Sequence, residues 1–395
     1  MGSRCLAAAA AVGLALGVAA PAISQPAAPN APASAPATGA CRYTGGAATL
    51  PVPGRPFMAV ASADGCWLFV ALGGLEGSQV GGGGVAALHN EGGRFSVAHV
   101  APVKDFPGGL AISHDGKTLA MATGGSVAIV DVAKLEAGDQ GAVTASLPMG
   151  AGSVYAAISD DDRMLFISQE RLARLSVLDF AKARGAGEKA EVASMETGRA
   201  PVGLALSANG RVLFATSESF AGKTFATTCE AENGGHGQHP EGVLTIIDVR
   251  AIATDPAKAS LGVRKAGCNP VRVALSPDGR TVWVTARGDN RLEGFSTAKL
   301  AGMVMDAPEI AVKVGPAPVG LAVRPDGAQV WVANSNRFGH NRPGSLTAVS
   351  ASGQVLRTVP TGIFPRDIGF LPDGKTLVVA QYESRAVQFV PTDAP

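Results

Sequence analysis

Residues 269–290, NPVRVALSPDGRTVWVTARGDN, decide the fold. VALS and WVTA alternate at a period of two, which is the strand signature, and a Pro-Asp-Gly turn separates them. Pro and Asp suit a type I turn, and the residue that follows needs positive φ, which Gly accepts freely. The same turn recurs along the chain: ASADG from 61, ISHDG from 112, ISDDD from 158, LSANG from 206, LSPDG from 275, VRPDG from 323 and FLPDG from 370. Its last residues are Gly65, Gly116, Asp162, Gly210, Gly279, Gly327 and Gly374, spaced by 51, 46, 48, 69, 48 and 47 residues. Asp162 is the one departure from Gly, and Asp tolerates positive φ better than most residues.

The flanks repeat with the turn. Proline stands nine residues before it (Pro56, Pro107, Pro201, Pro270, Pro318, Pro365), with Ser153 as the exception. Four residues after it stand Phe69, Ala120, Phe166, Phe214, Trp283, Trp331 and Val378, and six after it only small residues occur. Each unit therefore reads as strand, hairpin, second strand, loop, third strand (VLTIIDV) and a variable fourth strand (EIAVKVG). Four strands in about 47 residues match a propeller blade, and the period of two excludes helical repeats of similar length. The fold expected is an all-β seven-bladed β-propeller of four-stranded antiparallel blades. The recurring aromatics then fill the wedges between blades. The seventh unit ends with three strands, so residues 47–52 (AATLPV) are expected to supply its outer strand, closing the ring and covering a bare edge.

Residues 1–24 read as a signal peptide: Arg4, then a short Ala/Gly-rich apolar run ended by Pro21, too short and too weakly apolar for a span. Residues 25–40 are a Pro/Ala linker and 41–395 the propeller. The expected location is periplasmic or secreted. A net charge of +1 gives no global pull towards nucleic acid or anionic membrane. The mature chain keeps Cys41, Cys66, Cys229 and Cys268, and four cysteines allow three pairings. The blade register places Cys41 by the closing strand beside Cys66 at the turn of blade one. It places Cys229 in a loop of blade four near Cys268 at the entry to blade five. Cys41–Cys66 and Cys229–Cys268 are therefore predicted.

In a propeller the loops joining strands two and three share one face with the connections between blades, around the channel mouth. The long ones here are 73–83, 217–242 and 334–344, and long loops are commonly functional. Seven residues before the turn, Gly109, Gly203 and Gly320 contrast with Tyr155, Arg272 and Asp367. The loops add Glu170, Glu218, Arg287, Asn334, Asn336, Arg337, Arg366, Tyr382 and Glu383. The ligand-binding candidates are Tyr155, Glu170, Arg272, Arg287, Asn334, Asn336, Arg337, Arg366 and Asp367. Arginine forks suit carboxylate or phosphate, so a protein, peptide or small anionic ligand is expected. The alternative is that these arginines pair with Asp289, Glu293, Asp367 and Glu383 in networks between blades. His236 and His239 are candidate zinc or copper ligands, but they lie on no helix and Cys229 is expected to be oxidised, so a disulfide-held loop is the simpler reading. No HExxH, GxSxG or CxxCH motif occurs, and no cofactor is implied.

NPVRVALSPDGRTVWVTARGDNRLEGF, APVGLAVRPDGAQVWVANSNRFG and FPRDIGFLPDGKTLVVAQYESR resemble the YVTN-repeat, YncE-like β-propeller family over residues 53–395. The resemblance is strong in blades four to seven and weaker in one to three. It implies a periplasmic binding protein, with DNA association in some members, which the near-neutral charge does not favour here. Related propellers include lactonases. No catalytic set of the family can be matched residue by residue. The function expected is an exported, monomeric binding or scaffold propeller using its channel-mouth face. The alternative is a lactonase-like hydrolase with Glu170 or His236 as base beside Arg272 or Arg287.

Overall fold

The computed structural model describes residues 41–75, 82–185, 189–222, 228–232, 237–300, 302–304 and 307–393. The expected signal peptide and linker, and His236, lie outside the described residues. Seven sheets follow one another along the chain, with inner strands Arg55–Ala61, Pro107–Ile112, Ser153–Ile158, Arg199–Leu206, Pro270–Leu275, Pro318–Val323 and Pro365–Phe370. Each inner strand touches the next, and the seventh touches the first, so the sheets form a ring around a channel. In blades one to six four strands pair antiparallel in chain order; blade one runs Arg55–Ala61, Trp67–Gly73, Gly83–Glu91, Arg94–Val103.

The seventh blade takes its outer strand from the other end of the chain. Ala48–Pro51 pairs antiparallel with Ala386–Pro391, setting Ala48 opposite Phe389 and Pro51 opposite Ala386. Tyr43 stacks on Phe389 at 4.8 Å and Phe389 on Phe95 of blade one at 5.3 Å. Disulfide Cys41–Cys66 ties the start of this segment to the turn of blade one. Gly65 is needed there twice over: its φ is +71°, and a Cβ would lie 2.7 Å from the Cys41 carbonyl oxygen.

The repeated turn is a hydrogen-bonded device. In blade five Ser276 Oγ donates to Asp278 Oδ1 (2.5 Å), which also accepts from Arg280 N (3.0 Å), while Thr281 N donates to Ser276 Oγ (2.9 Å). The same bonds join Ser62, Asp64, Cys66 and Trp67 in blade one. Asp and Ser thus satisfy amides that the hairpin leaves unpaired, as Asx and ST turns do. All seven terminal turn residues have positive φ, Asp162 included at 54°. Trp283 and Trp331 are fully buried, and Trp283 packs against Val330 and Val332 of the next blade, as expected of wedge fillers.

Three features were not foreseen. Asp131, Asp179 and Asp248, each ending a third strand, cap the short helices Val132–Glu136, Phe180–Arg184 and Val249–Thr254. Gly302–Val304 pairs in parallel with Ser260–Lys265, so blade four carries a fifth strand donated from blade five. The 217–242 insertion contains a small hairpin, Thr228–Glu230 with Gln238–Pro240, which the predicted disulfide Cys229–Cys268 pins to the entry of blade five.

Candidate functional site

Every inner strand carries a register irregularity just after the repeated proline position: between Pro56 and Met58, Pro107 and Leu110, Ser153 and Tyr155, Pro201 and Leu204, Pro270 and Val273, Pro318 and Gly320, Pro365 and Asp367. A bulge of this kind re-aims neighbouring side chains, and here it falls where each inner strand enters the channel. The first layer is Phe57, Gly108, Val154, Val202, Val271, Val319 and Arg366. Val154, Val202, Val271 and Val319 pack together as an apolar wall on blades three to six. Arg366 is left on the side of blades seven and one.

The second layer is Met58, Gly109, Tyr155, Gly203, Arg272, Gly320 and Asp367, alternating large and small around the ring. The glycines make room for the next blade. A Cβ on Gly109 would lie 2.8 Å from Tyr155 Cα, one on Gly203 3.0 Å from Arg272 Cα, and one on Gly320 3.0 Å from Asp367 Cα. Arg272 Nε donates to Asp367 Oδ1 (3.2 Å), and the Arg272 guanidinium lies 4.6 Å from the Tyr155 ring centroid. Burial pushes the Asp367 carboxyl up, opposed by Arg272, and pushes the Tyr155 phenol up to about 12. These three candidates do converge, but on one another.

Arg366 has no such partner. Its guanidinium lies 3.9 Å from the Phe57 ring centroid, 5.4 Å from Phe364 and 5.6 Å from Tyr382. Among the described residues no carboxylate forms an ion pair with it, and its Nε is buried without a hydrogen-bond partner. Burial, reinforced by Arg272 and Arg337, brings its acidity to about 9, so its positive charge is held at a cost. Cation–π contact offsets part of that cost.

At the rim Arg287 is almost fully buried and bound on two sides, by Glu218 at 3.0 Å and by Glu232 at 2.5 Å. Glu232 follows Cys229 by three residues, so the disulfide-held insertion delivers it. Arg337 projects between Phe338 and Phe364, 5.3 Å from each ring. A cavity of about 950 Å3 opens beside it, lined among others by Glu232, Arg287, Asn336, Arg337, Phe364 and Glu383. That volume lies within the usual range for small-molecule sites. Across the mouth Glu170 opens the one-turn helix Glu170–Leu172. Desolvation and the neighbouring Glu218 push its carboxyl up, against Arg366, Arg287 and Arg171.

Some expectations need correction. Asn334 is fully buried, donating to Ser345 Oγ (3.1 Å) and Thr347 Oγ1 (2.8 Å), and belongs to the blade rather than the mouth. Asn336 donates to Pro343 O (3.1 Å) and holds its own loop, though it lines the cavity. Arg272 does pair with Asp367 as the network alternative expects, whereas Arg287 takes Glu218 and Glu232 instead of the acids suggested for it. His239 sits on the small hairpin with Nδ1 2.8 Å from Pro240 O. Among the described residues no three His, Cys, Asp or Glu side chains gather in a metal-binding group, and Cys229 is committed to its disulfide. Sequence reasoning missed Phe57, Phe364 and Glu232. The first two flank the repeated prolines, a signal present in the sequence but meaningless before the bulge is seen.

Seven sheets ringed around a channel define a seven-bladed β-propeller. No family model matches the chain, and no curated protein matches it. Solved structures do. A chain of the Kuenenia stuttgartiensis hydrazine synthase structure superposes with a TM-score of 0.64 at 18% identity, covering 91% of this chain and 99% of that one. A chain of a mitotic checkpoint complex gives 0.64 at 16% identity over 87% and 93%, and the Myceliophteria thermophila Cps50 (Swd1) β-propeller domain gives 0.61 at 16% over 87% and 99%. At such identities the likeness is one of fold alone.

Proposed function

We propose that this protein is an exported propeller of the YVTN-repeat, YncE-like kind that binds an anionic ligand or partner at its channel mouth. The observation that carries the reading is Arg366, a guanidinium enclosed in the channel with no carboxylate to answer it among the described residues, packed near Phe364, which lines the cavity. A protein gains nothing for its own stability by enclosing an unpaired charge, so such groups concentrate at functional sites. The four cysteines in two disulfides support an oxidising compartment, and no helix among the described residues is long and apolar enough to cross a membrane. Two of the similar structures come from proteins named as a complex or a synthase, which is compatible with propellers serving as assembly platforms.

The test is native mass spectrometry of protein purified from the exported fraction, compared with an Arg366→Met variant that removes the charge and keeps an unbranched apolar stem. A retained non-covalent adduct on the wild type that is lost from the variant is expected. An anion panel monitored by thermal shift extends the test, and equal behaviour of the two proteins across both measurements sinks the reading. The hydrolase alternative rests on Glu170, whose raised carboxyl could serve as a base. It must use Arg366 or Arg337 for charge stabilisation, because Arg272 and Arg287 are already bound to carboxylates.

A further inference from the structure

The mouth is electrically divided. Arg337 and Arg366 stand on blades six and seven, whereas Glu170 and Glu218 stand on blades three and four, joined by Glu232 from the insertion. Arg287 lies between them and bonds both Glu218 and Glu232. Arg272 and Asp367 cancel each other beneath. Four guanidiniums thus face four carboxylates, so the mouth has almost no net charge and does not suit a dianion such as phosphate. What it has is separation. Among the described residues Arg366, Arg337 and Glu170 form no ion pair, and the three feel one another across the opening: Arg366 lowers Glu170, and Glu170 acts on Arg337. The positive side is walled by Phe57, Phe338, Phe364 and Tyr382.

A ligand complementary to this surface carries a single carboxylate near an apolar or aromatic group and a cation further away. We infer that the mouth receives the C-terminal end of a short peptide, its free carboxylate on Arg366 and Arg337, its last side chain among the aromatic walls, and its amino group towards Glu170. This rests on the mouth being a binding site at all. The carboxylate is planar and monovalent, and it matches a guanidinium fork with two parallel hydrogen bonds. Such a pair in a desolvated site discriminates strongly against a ligand that lacks the charge, because the buried donors are then left unpaired.

Isothermal titration with the tripeptide alanyl-alanyl-phenylalanine tests the inference, alongside its C-terminal amide, its N-acetyl form, acetate and inorganic phosphate. The free tripeptide is expected to bind saturably, and the amide at least about tenfold more weakly. Arg366→Met should erase the difference between acid and amide, and Glu170→Gln should erase the difference between the free and N-acetyl forms. Arg337→Gln, at an exposed position, serves as the second variant should Arg366→Met melt early. If the amide binds as tightly as the acid, or the tripeptide does not bind while acetate or phosphate does so through Arg366, the peptide inference falls and the anionic mouth stands. If nothing binds in an Arg366-dependent way, both fall.

Discussion

Arg272 and Asp367 occupy the same position of blades five and seven, and their side chains meet inside the channel, Nε to Oδ1 at 3.2 Å. The two strands lie on either side of blade six, whose inner strand touches both, so the pair bridges that blade inside the channel. Both side chains are about 95% withdrawn from solvent. Removing one partner of a buried pair leaves a charge without compensation, typically about 3–5 kcal/mol. Asp367→Asn or Arg272→Met should each lower the melting temperature markedly, whereas the double variant Arg272→Met/Asp367→Leu should recover most of the loss. A double variant no more stable than the worse single one would show that the pair does not act as a unit.

Gly203 makes a steric prediction. A methyl at this position would meet the Val271 carbonyl oxygen at 2.4 Å and Thr216 Oγ1 at 2.9 Å, both in tightly packed surroundings. Gly203→Ala should therefore destabilise by about 1–3 kcal/mol, the usual cost of overpacking. Chemical denaturation measures it. Gly279→Ala provides the contrast: space is open there, but φ is +67°, so any loss comes from backbone strain alone.

Glu293 gives a pH signature. It lies on Arg291–Ser296, 4% exposed, with Oε2 unpartnered, and burial, Asp289 and Glu241 push its carboxyl up to about 8. The folded state therefore keeps a proton that the unfolded chain releases near pH 4.5. Stability from this group is complete below that value, declines as pH rises, by up to ~1.4 kcal/mol per unit, and levels off above pH 8. Glu293→Gln should flatten the slope and raise stability at pH 8 relative to pH 5. Identical pH profiles for the two proteins would show that Glu293 is not held protonated.

The disulfide Cys229–Cys268 links structure to site. It spans 39 residues and fixes the segment that carries Glu232 to Arg287. Cys229→Ser/Cys268→Ser should cost about 2–4 kcal/mol. It should also free Arg287 for exogenous anions, read as a new, salt-sensitive thermal shift with acetate. A loss of stability with no change in anion response would separate the disulfide from the mouth.

A last prediction concerns the seam. Deleting residues 41–52 removes the partner strand of Ala386–Pro391 and exposes its edge. Such edges pair with other chains, so size-exclusion chromatography should show dimers or larger species where the full chain elutes as one.

The propeller was legible because its signals are local and sevenfold. Asp278 and Gly279 announce the turn through amide capping and positive φ, which involve only neighbouring residues. Repetition then excludes every helical alternative. The same register placed the cysteines and brought Tyr155, Arg272 and Asp367 into one layer. The candidate site was legible only as a set of residue types. Asn334 looked like a mouth residue by its position in a loop, yet Ser345 and Thr347 hold it inside the blade. Arg272, Arg287 and Arg366 looked equivalent, and nothing in the sequence distinguishes them.

By itself, then, the sequence determined the blades, their number, their register and both disulfides, since each depends on contacts a few residues apart or on a period that can be counted. Only the tertiary structure decided which charges are answered. Arg272 meets Asp367 95 residues away and Arg287 meets Glu232 55 residues away. Arg366 meets aromatic faces instead, because the bulge in blade seven turns it towards Phe57 of blade one. Electrostatic partnership depends on distance in space, and a ring that joins its last strand to its first brings together residues from opposite ends of the chain.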